Sequence, residues 1–394
     1  MFTRIALFFL PVFSLPGVLI FVLGLLLEKP QPQERPSLSL PFLSPLEKKL
    51  LLLLCLFSGL PLFNASNPLF HLAGFISHYL LPMGFCYLLL KKLRTGVLNT
   101  QQLRQSLIAG LTLLALIGIA NYFLNWHGEI KALILPIFDH PALIDFSLNP
   151  AEGRAWGPAL NPNLLGLLMS LGIPLLLSET AKQKNSSLRL GYGVITAILW
   201  MALIVSFSRA AWLGACAALL WMLISPLTRR ISFTWIGSIL LLLMHPAIQT
   251  RLESLFRAEH STNQLRREIW LAGWHMLEAN WFSGIGILNF DWIYPLYQIA
   301  DRGTAHLHLA LLQIAVESGL FFCLSLVFLL LLLFKSARPH PEIQASGIAL
   351  AIFCCFDYPL ADLRIQVVLM LLLSIVLYHR NTAPPKTSAP QTEF

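Results

Sequence analysis

Long apolar stretches recur along the chain, near residues 5–27, 50–63, 69–90, 105–124, 163–178, 190–207, 210–225, 232–248, 308–334, 344–356 and 363–378. A run of about 20 apolar residues crosses a bilayer as a helix, and only helices and closed barrels satisfy their own backbone inside one. Composition agrees: 56% of the 394 residues are hydrophobic and 12% charged, a balance foreign to soluble domains. The expected fold is all-α, a polytopic transmembrane helix bundle forming a single integral membrane domain over residues 1–394. In such a chain a net charge of +8 points to basic loop ends at the membrane and not to nucleic acid. The first stretch runs into LLLEKP without a small-residue cleavage site, so it reads as membrane-embedded and not as a removable signal. Cys55, Cys86, Cys216, Cys323, Cys354 and Cys355 all fall in apolar stretches without CxxC or Cys/His spacing, so neither a disulfide framework nor a zinc site is expected.

Lysine and arginine separate two sets of loops. Loops 28–49, 91–104, 179–189, 226–231, 335–343 and the tail from 379 hold most of the 27. They alternate with 64–68, 125–162, 249–307 and 357–362, which hold few. The positive-inside rule puts the second set outside and the C-terminus in the cytoplasm. For loop 28–49 and Arg4 both to be inside, stretch 5–27 must cross twice, broken at Pro11 and the SLPG of 14–17. Twelve crossings are therefore expected, or eleven with the N-terminus outside. QPQERPSLSLP (31–41) and the tail 379–394 read as solvated and disordered, and no internal repeat is evident.

The outer loops carry the chemistry. In ITAILWMALIVSFSRAAWLGACAALLW (195–221) the single charge is Arg209, at the turn between two expected crossings. It either snorkels to the interface or binds an anion. NQLRREIWLAGWHMLEANW (263–281) reads as an amphipathic helix, with Leu265, Ile269, Ala272, Leu277, Trp270, Trp274 and Trp281 on its apolar side and tryptophans at headgroup level. Arg266 and Arg267 open it, either as solvated arginines or as phosphate ligands. The GIG of 284–286 lacks the strand that a dinucleotide fingerprint needs. His306 and His308 stand before a long apolar helix. If that helix begins before 306, His306, Gln313 and Glu317 share one face and His308 lies on the other. Each histidine is either a general base or an interfacial hydrogen-bonding group. An intramembrane Glu317 needs a partner or a wet cavity. Asn161-Pro162-Asn163 fits a helix N-cap, Arg154 adds a third outer cation, and DYPLADLR adds Asp357, Asp362 and Arg364. Arginines converging from separate segments, a histidine pair and no metal cluster suit a diphosphate or sugar-phosphate lipid bound without a divalent ion.

Four segments, taken in order, resemble the bacterial O-antigen ligase / O-antigen polymerase family of membrane glycosyltransferases with a C-type fold. ALNPNLLGLLMSLGIPLLL resembles the NPN…G…P helix, and SFSRAAWLG the SRGAW signature with Ala210 for glycine. RREIWLAGWHMLEANWFSGIGILNF is similar to the R…W…A…PllGvG…F segment. AHLHLALLQIAVESGL resembles HxHNxYLQxLAExGL, with Leu309 for the asparagine and Leu311 for the aromatic. The match covers roughly residues 150–322.

The resemblance implies a multi-pass enzyme of the bacterial inner membrane, in lipopolysaccharide biosynthesis, with its active site facing the periplasm. Loops 125–162 and 249–307 would then be periplasmic. The partners implied are an undecaprenyl-diphosphate-linked glycan as donor and an acceptor glycolipid, either lipid A-core or a growing glycan, among membrane lipids. Transfer would go with inversion and without a cofactor or metal. Arg209 and Arg266, with the adjacent Arg267, fall on the diphosphate-binding positions. His308 falls on the proposed base and His306 on the more variable histidine. Glu317, Gln313, Asn163 and Arg154 would support them. O-antigen polymerase and protein O-oligosaccharyltransferase remain alternatives within this class. A transporter of a small anion such as bicarbonate, or of a lipid-linked sugar, is the alternative outside it, favoured by Glu317.

Overall fold

A computed structural model of the chain describes residues 2–12, 43–124, 153–159, 161–242, 261–299 and 303–382, with the isolated positions 249 and 253. Among the described residues all regular structure is helical. The helices are α1 (Phe2–Phe9), α2 (Pro45–Ser58), α3 (Pro68–Arg94), α4 (Thr100–Leu124), α5 (Pro162–Lys182), α6 (Ser186–Val205) and α7 (Arg209–Met222). They continue with α8 (Pro226–Leu242), α9 (Ser261–Asn280), α10 (Ala310–Ser318), α11 (Leu320–Ser336), α12 (Pro341–Cys354) and α13 (Leu363–Thr382). Five of them, α3, α4, α5, α6 and α13, are long and apolar enough to cross a membrane, and α7, α11 and α12 are shorter apolar helices. The chain is a multi-pass helical membrane protein. The expected double crossing of 5–27 and the solvated segment 31–41 lie mostly outside the described residues.

Local chemistry sets the helix starts. Asn67 and Asn161 each precede a proline, and each side chain accepts from the backbone N–H two residues on. A proline at the first helical position gives up an N–H that would otherwise go unpaired. Asn185 caps α6 in the same way, and Ser44 with Glu47 closes a capping box on α2.

The centre of the bundle is α5, buried continuously from Leu164 to Thr180. A helix apolar all round is stable only when its neighbours cover it, and α4, α6, α7 and α12 do so. Small residues allow close approach, as between membrane helices generally. A Cβ on Gly214 of α7 would lie 2.7 Å from the Ala349 carbonyl oxygen of α12. Outside this centre, α2 packs on α11, α1 on α4, and the second half of α3 on α13.

The two sets of loops occupy opposite ends. At the lysine- and arginine-rich end, Arg104 is buried with Glu342 at 2.6 Å and Glu179 at 3.6 Å, and Arg380 reaches Glu47 at 2.7 Å. Buried charges persist when paired in this way. At the other end, Ala155 N–H donates to the Val205 carbonyl, Arg364 donates to the Pro158 carbonyl, and the Asn64 side chain donates to Asn280. The candidate site lies there.

Three expectations change. The stretch 308–334 is two helices, broken at Gly319, whose φ of +84° an L side chain rarely adopts. The stretch 50–63 ends as a helix at Ser58 and continues as a single 3-10 turn, Leu60–Phe63. The tail expected from 379 begins inside α13, which runs to Thr382.

Candidate functional site

Asp357 organises the site, and sequence reasoning left it among the ordinary loop residues. It follows α12, its N–H still bonded to the Phe353 carbonyl, and its side chain is buried. Oδ1 accepts from His306 Nε2 at 2.9 Å, His308 Nδ1 at 3.2 Å and the Tyr358 N–H at 2.9 Å. Oδ2 accepts from Asn163 Nδ2 at 3.3 Å. Burial raises the Asp357 carboxyl, but the hydrogen bonds from His306 and His308 act against it, and the group is held well below the ordinary carboxylate range. An ionised carboxylate only accepts, so the two ring nitrogens facing it carry hydrogen. That assignment leaves His308 Nε2 and His306 Nδ1 as acceptors when the rings are neutral.

The histidines do not sit on the helix that follows them. Leu309 is extended (φ −150°, ψ 102°) and caps α10, which starts at Ala310. His308 adopts φ +53°, a left-handed conformation that histidine visits more readily than most residues. Both rings therefore converge on Asp357, with centroids 4.2 Å apart, and are not divided between helix faces as a continuous helix requires. Both remain partly exposed. Leu307 between them is fully buried against α9, where it packs with Ile269, Ala272 and Met276.

Gln313 and Glu317 hold this loop. Gln313 Oε1 accepts the Leu307 N–H at 2.8 Å, and Gln313 Nε2 donates to Glu317 Oε1 at 2.9 Å. Glu317 is also hydrogen-bonded with Tyr358, next to Asp357. Glu317 thus has its partners inside the bundle. Thr304 Oγ1 donates to the His306 carbonyl at 2.7 Å and closes the turn.

The GIG turn supports the same loop and binds no phosphate in this arrangement. Ile285 N–H and Gly286 N–H donate to the Val316 and Glu317 carbonyls, the last turn of α10, while Leu320 N–H donates to the Trp281 carbonyl. The break at Gly319 is thereby satisfied from outside, as helix ends require. His71 secures the turn by accepting from Ile287 N–H on Nδ1 and donating from Nε2 to the Ser58 carbonyl.

The cations differ in placement. Arg154 Nε donates to the Ser206 carbonyl and Nη2 to Asn163 Oδ1, both at 2.8 Å. One chain of contacts thus runs from the SFSR turn through Arg154 and Asn163 to Asp357. Arg209 is the first residue of α7, half-buried at this same end, after Phe207 at φ +48°. Burial lowers the Arg266 guanidinium, and the Asp357 charge opposes it. Burial first, and then the charges of His306 and Arg266, lower the His308 pKa from its ordinary value, against the hydrogen bond and charge of Asp357. Arg267 is exposed on α9 beside them. The amphipathic expectation for 263–281 is met in part by α9: Ile269, Ala272 and Met276 are buried, but Trp274 and Trp281, expected on the apolar side, are exposed.

Asp357 was the residue missed. Its signal in sequence is a carboxylate directly after an apolar stretch, in FDYP. The pairing with histidines some fifty positions earlier is tertiary. Among the described residues, His306, His308 and Asp357 also form a group whose ligating atoms all lie within 4.8 Å of one another.

No curated protein matches the chain significantly. Residues 194–327, from α6 into α11, match the family model described as O-antigen ligase, and this segment carries both histidines, Arg209, Arg266 and Arg267.

Proposed function

We propose that the protein transfers a glycan from an undecaprenyl-diphosphate donor to an acceptor sugar hydroxyl at the periplasmic face of the bacterial inner membrane. The match of residues 194–327 to the O-antigen ligase family model supports a glycosyltransferase-type enzyme acting on lipid-linked glycan substrates. The observation that carries the finer reading is the buried Asp357 carboxylate bonded to His308 Nδ1. It fixes the tautomer that exposes Nε2 as a base, and burial keeps that ring neutral.

The step balances as a single displacement. His308 Nε2 takes the proton of the acceptor hydroxyl, and that oxygen bonds to the anomeric carbon as the carbon–oxygen bond to the diphosphate breaks. The configuration inverts, and undecaprenyl diphosphate leaves with the bonding electron pair. Arg209 at the N-terminus of α7 and Arg266 stabilise the growing negative charge, with Arg154 behind them and Arg267 at the rim. His306 shares Asp357 with His308 and is the second candidate for the base. Gln313 and Glu317 position the loop. Arginines in place of a metal make the transfer metal-independent, and lipid A-core is the acceptor of a ligase.

The test is Arg209→Ala in purified enzyme. Donor turnover falls at least a hundredfold while the protein inserts and remains monodisperse; normal glycan attachment by that variant removes the diphosphate anchor. Lengthening of the donor glycan without modification of lipid A-core assigns the polymerase reaction instead.

A further inference from the structure

We propose that His306, His308 and Asp357 form a zinc site whose occupation switches transfer off. The inference rests on the reading of His308 as the base. Two imidazoles and one carboxylate are a common donor set for zinc, three protein ligands leaving a fourth position for solvent. The spacing suits it. A tetrahedral zinc with bonds of about 2.0–2.1 Å holds its ligand atoms about 3.3–3.4 Å apart. Asp357 Oδ1 lies 2.9 Å from His306 Nε2 and 3.2 Å from His308 Nδ1, and all three ligand atoms lie within 4.8 Å of one another, so small shifts of the two rings bring them to tetrahedral spacing.

The frame is preset. Asn163 holds Asp357 Oδ2, Gln313 holds the Leu307 N–H, and Thr304 holds the His306 carbonyl. Such outer partners orient ligands and raise affinity. Both rings are partly exposed, so the ion has a way in. Arg266 beside Asp357 opposes a second cation and limits the affinity. Magnesium, which prefers oxygen ligands, is excluded by the imidazoles.

The chemistry explains the inhibition. In the zinc-free site His308 carries its hydrogen on Nδ1, toward Asp357, and its lone pair on Nε2. Zinc takes the Nδ1 lone pair, and the hydrogen moves to Nε2; His306 shifts its hydrogen from Nε2 to Nδ1 in the same way. No proton is released, and Nε2–H no longer accepts one from a hydroxyl. Zinc and base catalysis therefore exclude each other.

Zn²⁺ titrated by calorimetry into the full-length protein in detergent tests this, with Co²⁺ absorption as a spectroscopic check. Wild type is compared with His306→Gln and Asp357→Asn, each confirmed folded by its thermal transition. The expected result is one more equivalent bound by wild type, weakened more than about tenfold in either variant. Transfer by wild type stops over the same zinc range, returns with EDTA and ignores Mg²⁺. The His340 and His379 rings, 4.9 Å apart at the opposite end, are common to all three proteins and cancel in the difference. Equal zinc binding by wild type and variants overturns the site, and transfer unchanged by bound zinc overturns the switch. A zinc-free wild type that transfers nothing, though it binds zinc at this site, overturns the transfer reading and the switch with it, and leaves the metal site standing.

Discussion

Replacing Asp357 by asparagine keeps shape and removes charge, and the surrounding bonds make its effect calculable. The carboxylate accepts from both histidines on Oδ1 and from Asn163 on Oδ2. Asn163 cannot turn to accommodate an amide, because its own Oδ1 already accepts from Arg154. The new NH2 group therefore faces either the Asn163 NH2 or the two imidazoles. In the second orientation it forces hydrogen onto His308 Nε2 and blocks the base. In the first, two charge-assisted hydrogen bonds become neutral. Bonds to charged groups contribute about 1.5–3 kcal/mol each and neutral ones about 0.5–1.5 kcal/mol, so weakening both is about 2–3 kcal/mol. At about 1.4 kcal/mol per tenfold, that is about 30- to 100-fold in rate. General-base assistance is itself worth about 10²–10⁴, so the orientation that blocks the base gives the larger fall. The assay is steady-state transfer by purified Asp357→Asn with a defined lipid-linked donor. The fall should appear in kcat, with donor KM changed little, since Arg209 and Arg266 are untouched. A variant within threefold of wild type in kcat, or one impaired only in KM, refutes the role of Asp357.

Arg266 acts electrostatically on both Asp357 and His308, whereas Arg267 is exposed. Arg266→Ala should therefore reduce kcat/KM for the donor at least tenfold more than Arg267→Ala, and equal effects in steady-state assays would place the diphosphate elsewhere. Gly319→Ala should lower the thermal transition in detergent. The backbone there is at φ +84°, which costs an L residue about 1–3 kcal/mol, and the added Cβ collides with the Phe282 carbonyl oxygen. An unchanged transition with normal transfer would show that the break between α10 and α11 is not needed.

The membrane class and most helices were legible because apolar length and cap residues are local properties. Asn161-Pro162 announces α5, and α9 follows its apolar periodicity to within two residues. Lysine and arginine sorted the loops into two sets, and contacts such as Arg364 with Pro158 and Arg104 with Glu342 join loops of the same set. The histidines were visible as candidates, but their geometry was not. HLALLQIAVESGLFF has no residue that forbids a helix until Gly319, and Leu309 is extended because Leu307 buries itself against α9 and its N–H is taken by Gln313. Asp357 was hidden for a related reason. Its importance arises only when α12 ends beside the N-terminus of α5, which places Asn163 and both imidazoles around one carboxylate.

The most direct measurement is transfer by the purified protein in nanodiscs, given an undecaprenyl-diphosphate glycan of defined length and lipid A-core, read as a mobility shift of the acceptor. Wild type should modify lipid A-core, His308→Ala should fall by at least a hundredfold, and His306→Ala should retain more activity than His308→Ala. Full transfer by His308→Ala would contradict the account at its centre.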